Sequence, residues 1–346
     1  PWSHFVNAYV LDRQGMRIDR RNAEDIFTKL YDHQIPPGAA DVVQYRLEIP
    51  PTVTSPIELT VKLHYRKFDT AYTRAFLGDE FVRNDLPITV IAEDRVVFPD
   101  TETAQVDMPD IPEWQRWNDY GIGLLRKPDR GQLRQAEAAF RHVIKLDRPE
   151  GALNLARVLL REGRLDEAID ALQSAGAQGA YPWSIDWFGG LVDLQNGNLD
   201  AAIESFTALT ETKYPDAKAR GFDFSWDYRL QNTLAQTLFE RSKLTTSDPA
   251  EIVWLGRSVD HYQRSLRVDP ENVTAHYGLA QVYARLDRPI QAEQHRQLHE
   301  KYRRDDNAHD RALASARRSN PAANHASEAV VIYDLQRRGA YGLPAN

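Results

Sequence analysis

The sequence predicts a mainly α-helical protein, in which a superhelix of about five helical hairpins follows a small, incomplete β-sandwich domain. Three observations predict it: apolar and polar residues alternate in the first part of the chain, a proline-rich acidic stretch follows, and a helical pattern then recurs at a fixed spacing. These changes divide the chain into a β-sandwich-like domain (1–99), a linker (100–113), a superhelix (114–300), and a capping helix with a C-terminal tail (301–346).

Composition excludes several classes of protein. The 346 residues are 42% hydrophobic, which is enough for a domain and a solenoid, and the net charge of −7 is spread along the chain. No basic stripe indicates nucleic acid, and no apolar run of about 18 residues indicates insertion into a membrane. The absence of cysteine excludes disulfides, cysteine-bound zinc, a thiol nucleophile and thioether-linked haem.

Strand signals fill the first domain. In residues 57–66, Ile, Leu, Val, Leu and Tyr alternate with Glu, Thr, Lys, His and Arg, which is typical of a strand with one solvated face. Residues 43–49 alternate in the same way, and the proline-rich residues 50–56 predict a turn that joins the two as an antiparallel pair. Short strands at this spacing are typical of a β-sandwich, and further ones are predicted at 5–11, 26–31, 71–77 and 88–98.

The helical part carries the tetratricopeptide pattern, W-x2-L-G-x2-Y in a first helix and A-x3-F in a second, with a period of 34 residues. Ala156 and Gly190 are 34 residues apart, and so are Ala168 and Ala202. The pattern recurs to give five predicted hairpins, the fourth with an eleven-residue insertion around residues 245–249.

Small residues mark where the two helices of each hairpin cross. A large side chain there would push the helices apart. Each hairpin buries its apolar face against its neighbours, so the array predicts a superhelix whose concave surface is formed by the first helices. The small residues of the first helices are Gly121, Ala156, Gly190, Ala235 and Ala280, and those facing them are Ala168, Ala202, Ser258 and Ala292.

Two predictions concern the C-terminal residues. Residues 300–318 are polar enough for a capping helix. Residues 328–335 have the composition of either a terminal strand or a docking segment, and the sequence does not decide between the two.

No catalytic motif is present. The chain lacks G-x-S-x-G, the P-loop, G-x-G-x-x-G and H-E-x-x-H, so no enzymatic activity is predicted. His295 and His299 share one helical face and form half of a metal site, but no third ligand is indicated. We therefore predict no catalytic residues and no metal.

The concave surface is the predicted binding site. Aromatic rings, amides and guanidinium groups are the residue types that hold a peptide or a partner loop. The alternative is that the same surface is filled by the chain's own N-terminal domain or tail. The predicted partner-binding residues are Arg157, Arg161, Trp187, Asn232, Gln236, Tyr277, Gln281 and Arg285.

Several phrases resemble a known family. Residues 11–22 (LDRQGMRIDRRN), 33–38 (HQIPPG), 321–325 (PAANH) and 331–336 (VIYDLQ) are similar to the non-haem part of exported bacterial multihaem c-type cytochromes that carry tetratricopeptide repeats. In that family a haem domain with C-x-x-C-H sites comes first, and this sequence has none. The resemblance therefore implies haem c only in a partner or a missing domain, no cofactor in this chain, and a periplasmic or extracellular location. It also makes His4 and His33 candidate ligands of a partner's haem, although structural roles are favoured.

The favoured function is a non-catalytic protein-interaction scaffold, assembled with or cut from a multihaem c-type cytochrome involved in electron transfer. Its partner is then a protein, either a multihaem cytochrome c chain or a domain of one. The first alternative is a free-standing tetratricopeptide adaptor that recognises a peptide or a partner protein. The second is a hydrolase whose site follows no recognised motif.

Overall fold

A computed structural model describes residues 3–19, 22–49, 51, 53, 56–98, 111–127, 130–245 and 249–336. They form two compact units. The first comprises Pro1–Arg116, Lys127–Asp129 and Asp305–Asn346, and the second comprises Trp117–Arg126 and Arg130–Arg304. Most of the predicted linker lies outside the described residues, and the predicted domain boundaries stay a prediction.

Helices dominate the second unit, and strands occur in the first. The strands are β1 (Ala8–Leu11), β2 (Thr28–Asp32), β3 (Gln44–Arg46), β4 (Ile57–Tyr65), β5 (Thr89–Phe98) and β6 (Ile332–Asp334). The helices are α1 (Thr70–Leu77), α2 (Glu113–Leu125), α3 (Arg130–Lys145), α4 (Pro149–Glu162), α5 (Leu165–Ala177), α6 (Pro182–Asn196), α7 (Leu199–Glu211), α8 (Pro215–Ala219), α9 (Tyr228–Lys243), α10 (Pro249–Val268), α11 (Val273–Arg285), α12 (Pro289–Tyr302), α13 (Asp306–Ser319) and α14 (Pro321–Ala326).

The small β region is confirmed, but its strands pair differently from the prediction. Strand β1 pairs with β2 and β4 with β5, both antiparallel, while β3 pairs in parallel with the C-terminal β6. The predicted antiparallel pair of residues 43–49 and 57–66 is therefore wrong. Strand β4 has nine residues and pairs along its whole length with the ten residues of β5, whereas β3 has only three. Within the described residues the strands form three two-stranded sheets instead of two sheets packed face to face.

Residues 71–77, predicted as a strand, form helix α1. The Asp69 carboxylate accepts a hydrogen bond from the Tyr72 backbone N–H at 2.7 Å, which caps the first turn. The rings of Phe68, Tyr72 and Phe76, four residues apart, stack along one side with centroid distances of 4.8 and 6.5 Å. The cap and this spacing favour a helix over the apparent alternation.

The core of the first unit joins distant parts of the chain. Leu11 and Leu30 from the β1–β2 pair are buried against Ala316 of α13 and Ala323 of α14. Gly15 lies directly against the backbone of α13 with a φ of 83°, so a side chain there would both strain the turn and collide with Ala312. A helix is predicted within the polar residues 300–318, and α13 lies there. Helix α13 belongs to the first unit. Residues 332–334 of the tail form a strand.

The five predicted tetratricopeptide hairpins are confirmed. They are α2–α3, α4–α5, α6–α7, α9–α10 and α11–α12. A Cβ on Gly121 would lie 2.5 Å from Cε1 of Phe140, and one on Gly190 would lie 2.6 Å from Cε1 of Phe206. These glycines therefore make room for an aromatic ring of the second helix.

Local signals set the helix ends that matter for the site. Pro149 and Pro182 begin α4 and α6, where a missing backbone N–H costs nothing. Both helices end at a glycine with left-handed φ, 76° at Gly163 and 81° at Gly197. These signals fix the lengths of two helices of the candidate binding surface.

From the third hairpin onwards, two insertions interrupt the described part of the array, and the sequence indicated one of them. The insertion at 245–249 accompanies a lengthened α10 of 20 residues. The second, residues 212–227, contains α8 and a 3-10 turn, and it packs Tyr214 and Phe224 against Trp183 at ring distances of 5.5 and 6.4 Å. It has no periodic pattern, which is why sequence analysis missed it. No helix in the described part of the chain is long and apolar enough to cross a membrane.

Candidate functional site

The candidate site is the surface formed by the first helices of hairpins two to five, which we call the A-face: α4, α6, α9 and α11. In a tetratricopeptide array these helices line the inner side of the superhelix. All eight predicted binding residues lie on them: Arg157 and Arg161 on α4, Trp187 on α6, Asn232 and Gln236 on α9, and Tyr277, Gln281 and Arg285 on α11.

Arg157 and Arg161 lie one turn apart on α4. Arg157 donates from Nη1 to Oδ1 of Asn154 at 2.7 Å, and its guanidinium lies 5.6 Å from the ring centroid of Phe188. Arg161 donates to the carbonyl oxygen of Leu125. Burial lowers the pKa of the Arg157 guanidinium, because the charged form is partly removed from water.

Neither arginine has a carboxylate partner among the described residues; their acceptors are an amide oxygen and a backbone carbonyl. This sets them apart from other arginines of the same unit, which form ion pairs with Asp or Glu: Arg141, Arg148, Arg164, Arg241 and Arg285. Within the described residues, two guanidinium charges on α4 are therefore not paired with a carboxylate.

Two buried asparagine side chains, linked by a hydrogen bond, hold Arg157 in place. Asn154 donates from Nδ2 to Oδ1 of Asn118 at 2.8 Å, and Asn154 Oδ1 in turn accepts from Arg157. Both asparagines are buried, with 6% and 8% exposure. These asparagine amides orient the Arg157 guanidinium without neutralising its charge.

At the other end of the A-face, α9 and α11 border a cleft of about 660 Å³, lined by Phe239, Lys243, Glu251, Gln281, Ala284 and Arg285. Its charges are paired: Arg285 Nε lies 2.5 Å from Glu251 Oε1, and Lys243 Nζ lies 2.8 Å from Glu240 Oε1. The Lys243 ammonium also lies 4.5 Å from the Phe239 ring centroid. The cleft therefore combines the apolar side chains of Phe239 and Ala284 with charged side chains that are already paired.

The structure brings together Gln281 and Arg285, both in this cleft, and leaves two other predicted residues open to solvent. Gln236 is exposed on α9. Tyr277 is 53% exposed, with its ring 5.2 Å from that of His299. These four side chains are accessible on the A-face.

Asn232 and Trp187 are packed more deeply than a binding surface requires. Asn232 is 8% exposed and donates from Nδ2 to Oδ1 of Asn272 at 2.9 Å, which joins α9 to the start of α11. Trp187 is half-buried in the core between α6, α7 and α9, with its ring 5.6 Å from Phe206. Their surroundings are therefore those of packing residues. Whether any of the eight residues binds a partner stays a prediction.

Sequence reasoning missed several members of the site. Phe188, Asn154 and Asn118 support Arg157, and Glu251 reaches the cleft from the lengthened start of α10. One signal was available, because asparagines in neighbouring first helices are 36 residues apart, close to the repeat period. No repeat spacing indicated Glu251, since it lies in the first turn of α10, directly after the insertion at 245–249.

The histidines singled out in the sequence make other contacts. His295 Nδ1 lies 2.9 Å from His276 Nδ1, and His299 Nδ1 lies 3.1 Å from the carbonyl oxygen of Val273. Among the described residues no group of three or more potential ligands is placed to hold a metal ion. In the first unit, His4 stacks on His33 at 4.6 Å. Haem ligation by His4 or His33 stays a prediction.

Comparison with known proteins agrees with the helical array. Residues 128–298, just under half of the chain, match the family described as protein kinase G tetratricopeptide repeat. No curated protein matches the chain.

Among solved structures the chain is similar to MamA, with 14% identity and a TM-score of 0.42 over 55% of this chain and 91% of that one. It is also similar to YrrB, described as a tetratricopeptide protein with an unusual peptide-binding site, with 15% identity and a TM-score of 0.40 over 54% and 84% of the two chains.

Proposed function

We propose that this tetratricopeptide superhelix is a non-catalytic interaction scaffold whose A-face binds an extended acidic segment of a partner protein. The observation that carries the proposal is the pair Arg157 and Arg161, two charges on the A-face without carboxylate partners in the described chain. A guanidinium donates two parallel hydrogen bonds to a carboxylate, and such charge-assisted bonds are stronger where water is partly excluded.

The spacing of the two arginines defines the segment. Side chains one helical turn apart have Cβ atoms about 5–6 Å apart. In an extended peptide, side chains on the same face recur about every 6.6 Å, since each residue advances about 3.3 Å. Two acidic residues separated by one other residue therefore match Arg157 and Arg161.

The cleft between α9 and α11 supplies a second contact. Because its cations are already paired with Glu240 and Glu251, it favours an apolar side chain packed on Phe239 and Ala284 over another acid. Gln236 and Gln281 are exposed on the neighbouring helices, where their amides can bond the peptide backbone.

The test is fluorescence anisotropy with a labelled peptide of alternating Glu and Ala. We expect Arg157→Ala and Arg161→Ala each to weaken binding about tenfold or more, since hydrogen bonds to charged groups contribute about 1.5–3 kcal/mol. The affinity of Arg157→Lys should lie between those of wild type and Arg157→Ala, because lysine keeps the charge and loses the planar guanidinium. The control is Arg267→Ala, on the second helix of hairpin four.

Circular dichroism of each variant separates lost binding from lost folding. Binding should weaken with added salt. A double variant at positions 157 and 161 that is folded and binds the acidic peptide with unchanged affinity would contradict the proposal. Tighter binding of a Lys–Ala peptide than of the Glu–Ala peptide would contradict it equally.

A second, more specific proposal concerns which protein the A-face binds. The phrases of residues 33–38 and 331–336 resemble the multihaem c-type cytochromes, and we propose such a chain, or a domain of one, as the partner. On this proposal the complex is periplasmic or extracellular and serves electron transfer, and the haem belongs to the partner alone. The alternative, a free-standing adaptor, uses the same A-face.

Haem staining and mass measurement of the natively purified complex distinguish the two. The chain alone should show no Soret absorbance, and a haem-stained band should accompany it in the complex. A complex without haem favours the free-standing adaptor, and a stoichiometric haem spectrum from the chain alone would overturn the scaffold proposal.

A further inference from the structure

One edge of strand β4 has no partner strand in the described part of the chain. Among the described residues it pairs only with β5, and its other edge has no backbone partner. One face of β4 is apolar and open to solvent, with Val61 50%, Leu63 47% and Tyr65 53% exposed, and on β5 Asp94 lies opposite Val61. Two strands alone are marginally stable in water, and a long apolar edge is a template for another strand. The ribbon therefore has the properties of a surface that is covered by a partner.

The regular part of β4 is self-complementary. The register of β4 against β5 shifts between Leu63 and His64, where β5 has one extra residue, so the part of β4 that pairs without interruption is residues 57–63, centred on Thr60. When a second copy is placed antiparallel with Thr60 opposite itself, three kinds of pair form. Ile57 faces Leu63, Leu59 faces Val61, and Glu58 faces Lys62. Each pair is of a kind that stabilises neighbouring strands.

This register also extends a row of charges that the single chain begins. Within the ribbon Lys62 Nζ lies 2.9 Å from Glu93 Oε1, and Arg95 Nη2 lies 2.5 Å from Glu58 Oε2. In the paired sheet Lys62 of one copy meets Glu58 of the other. The row then reads Glu93, Lys62, Glu58, Arg95 across four strands, with alternating sign throughout.

We propose that β4 is a self-association edge, through which two copies of this chain form a four-stranded antiparallel sheet. The two-fold axis at Thr60 is perpendicular to the sheet, so the apolar residues of both copies stay on one side. Strand β5 is less suitable, because the register that places Glu93 opposite Arg95 also places Asp94 opposite itself. Like charges directly opposite are unfavourable.

Sedimentation equilibrium of the whole chain tests the proposal by a charge exchange. We expect wild type to pass from 39.6 kDa to twice that mass as concentration rises. Glu58→Lys places two like-charged pairs across the axis, and so does Lys62→Glu. Each variant alone should dissociate about tenfold more readily than wild type. An equimolar mixture of the two should recover the wild-type affinity, because each pair then joins a lysine of one copy to a glutamate of the other: position 58 of the first variant faces Glu at position 62, and its Lys62 faces Glu58 of the second variant.

The control is Arg95→Glu, which removes the Glu58 ion pair inside the ribbon and leaves the β4 edge intact. It should dimerise more than Glu58→Lys does. A wild-type chain that is monomeric at every concentration would overturn the proposal. Amide exchange would then show the other occupant, since slow exchange along β4 in a monomer means that the chain's own residues cover the edge. A dimer that neither charge variant weakens would overturn it as well.

Discussion

Gly190 on α6 lies against the ring of Phe206 on α7, so close that a Cβ at position 190 would be 2.6 Å from Cε1. Phe206 is fully buried and cannot move aside without disturbing the core of hairpins three and four. The neighbouring Gly189 has nothing within 4 Å of its own Cβ position. The two adjacent glycines therefore differ only in what faces them.

We expect Gly190→Ala to lower the free energy of unfolding by about 1–3 kcal/mol, because overpacking forces the helices apart. Gly189→Ala should instead raise it by up to about 1 kcal/mol through helix propensity. Urea unfolding of both variants measures the difference. Equal effects would mean that the crossing of α6 and α7 is not tight.

Trp187 should behave as a packing residue. Its ring packs on Phe206 and the core of hairpins three and four, so Trp187→Ala should cost about 2 kcal/mol or more. Tyr277→Ala, at an exposed position of the same A-face, should stay within about 0.5 kcal/mol of wild type. Thermal melting of the two variants checks this. A native melting curve for Trp187→Ala would place the ring outside the core.

Tyr333 anchors strand β6 against β3. It is 3% exposed, its hydroxyl lies 3.1 Å from His4 Nδ1, and its ring lies 5.6 Å from that of Tyr45. Tyr333→Ala should therefore destabilise the first unit by about 3 kcal/mol or more. The adjacent Ile332 is 47% exposed, and Ile332→Ala is the matched control. Amide exchange at β3 is the measurement, and similar protection in both variants would argue against a stabilising role for the β3–β6 pair.

His261 should make the helical unit sensitive to acid. Its Nδ1 lies 2.7 Å from Gln231 Oε1, and Gln231 Nε2 donates to the carbonyl oxygen of Ser225 at 3.1 Å. Burial, with smaller contributions from Arg264 and Arg257, lowers the pKa of His261 to about 4. The unfolded chain, with a histidine pKa of about 6.5, then binds a proton before the folded one does.

The stabilisation by neutral His261 is consequently complete above about pH 6.5 and is lost as the pH falls towards 4, by up to about 3 kcal/mol. Denaturant titrations at several pH values measure this slope. His261→Gln should flatten it in part, because burial also lowers the pKa of His295 in the same unit. An unchanged slope in His261→Gln would assign the acid sensitivity to other groups.

Sequence periodicity predicted the hairpins because their contacts are local. Ala156, Gly190, Ala168 and Ala202 recur at a fixed spacing, since each hairpin meets only its neighbours. The pairing of β3 with β6 could not be predicted in this way, because its strands are 288 residues apart and no local pattern encodes that contact. Helix α1 was predictable in principle, since Asp69 is a capping residue.

The same distinction applies to the candidate site. Helical spacing identified Arg157, Arg161 and Gln281 as residues of the first helices. It could not tell that Trp187 and Asn232 are packed inward, because their burial depends on the neighbouring helices and on the unrecognised insertion at 212–227.

The parallel pair of β3 and β6 has a consequence for synthesis on the ribosome. Gln44 and Ile332 can meet only after the 288 residues that follow Gln44 have emerged, whereas each hairpin has its neighbours soon after it is made. The helical array is therefore expected to fold during translation, before β3 can pair with β6. During that interval the edge of β3 that later pairs with β6 has no partner strand among the described residues, and a chaperone that holds extended segments would act on the nascent chain around residues 44–46.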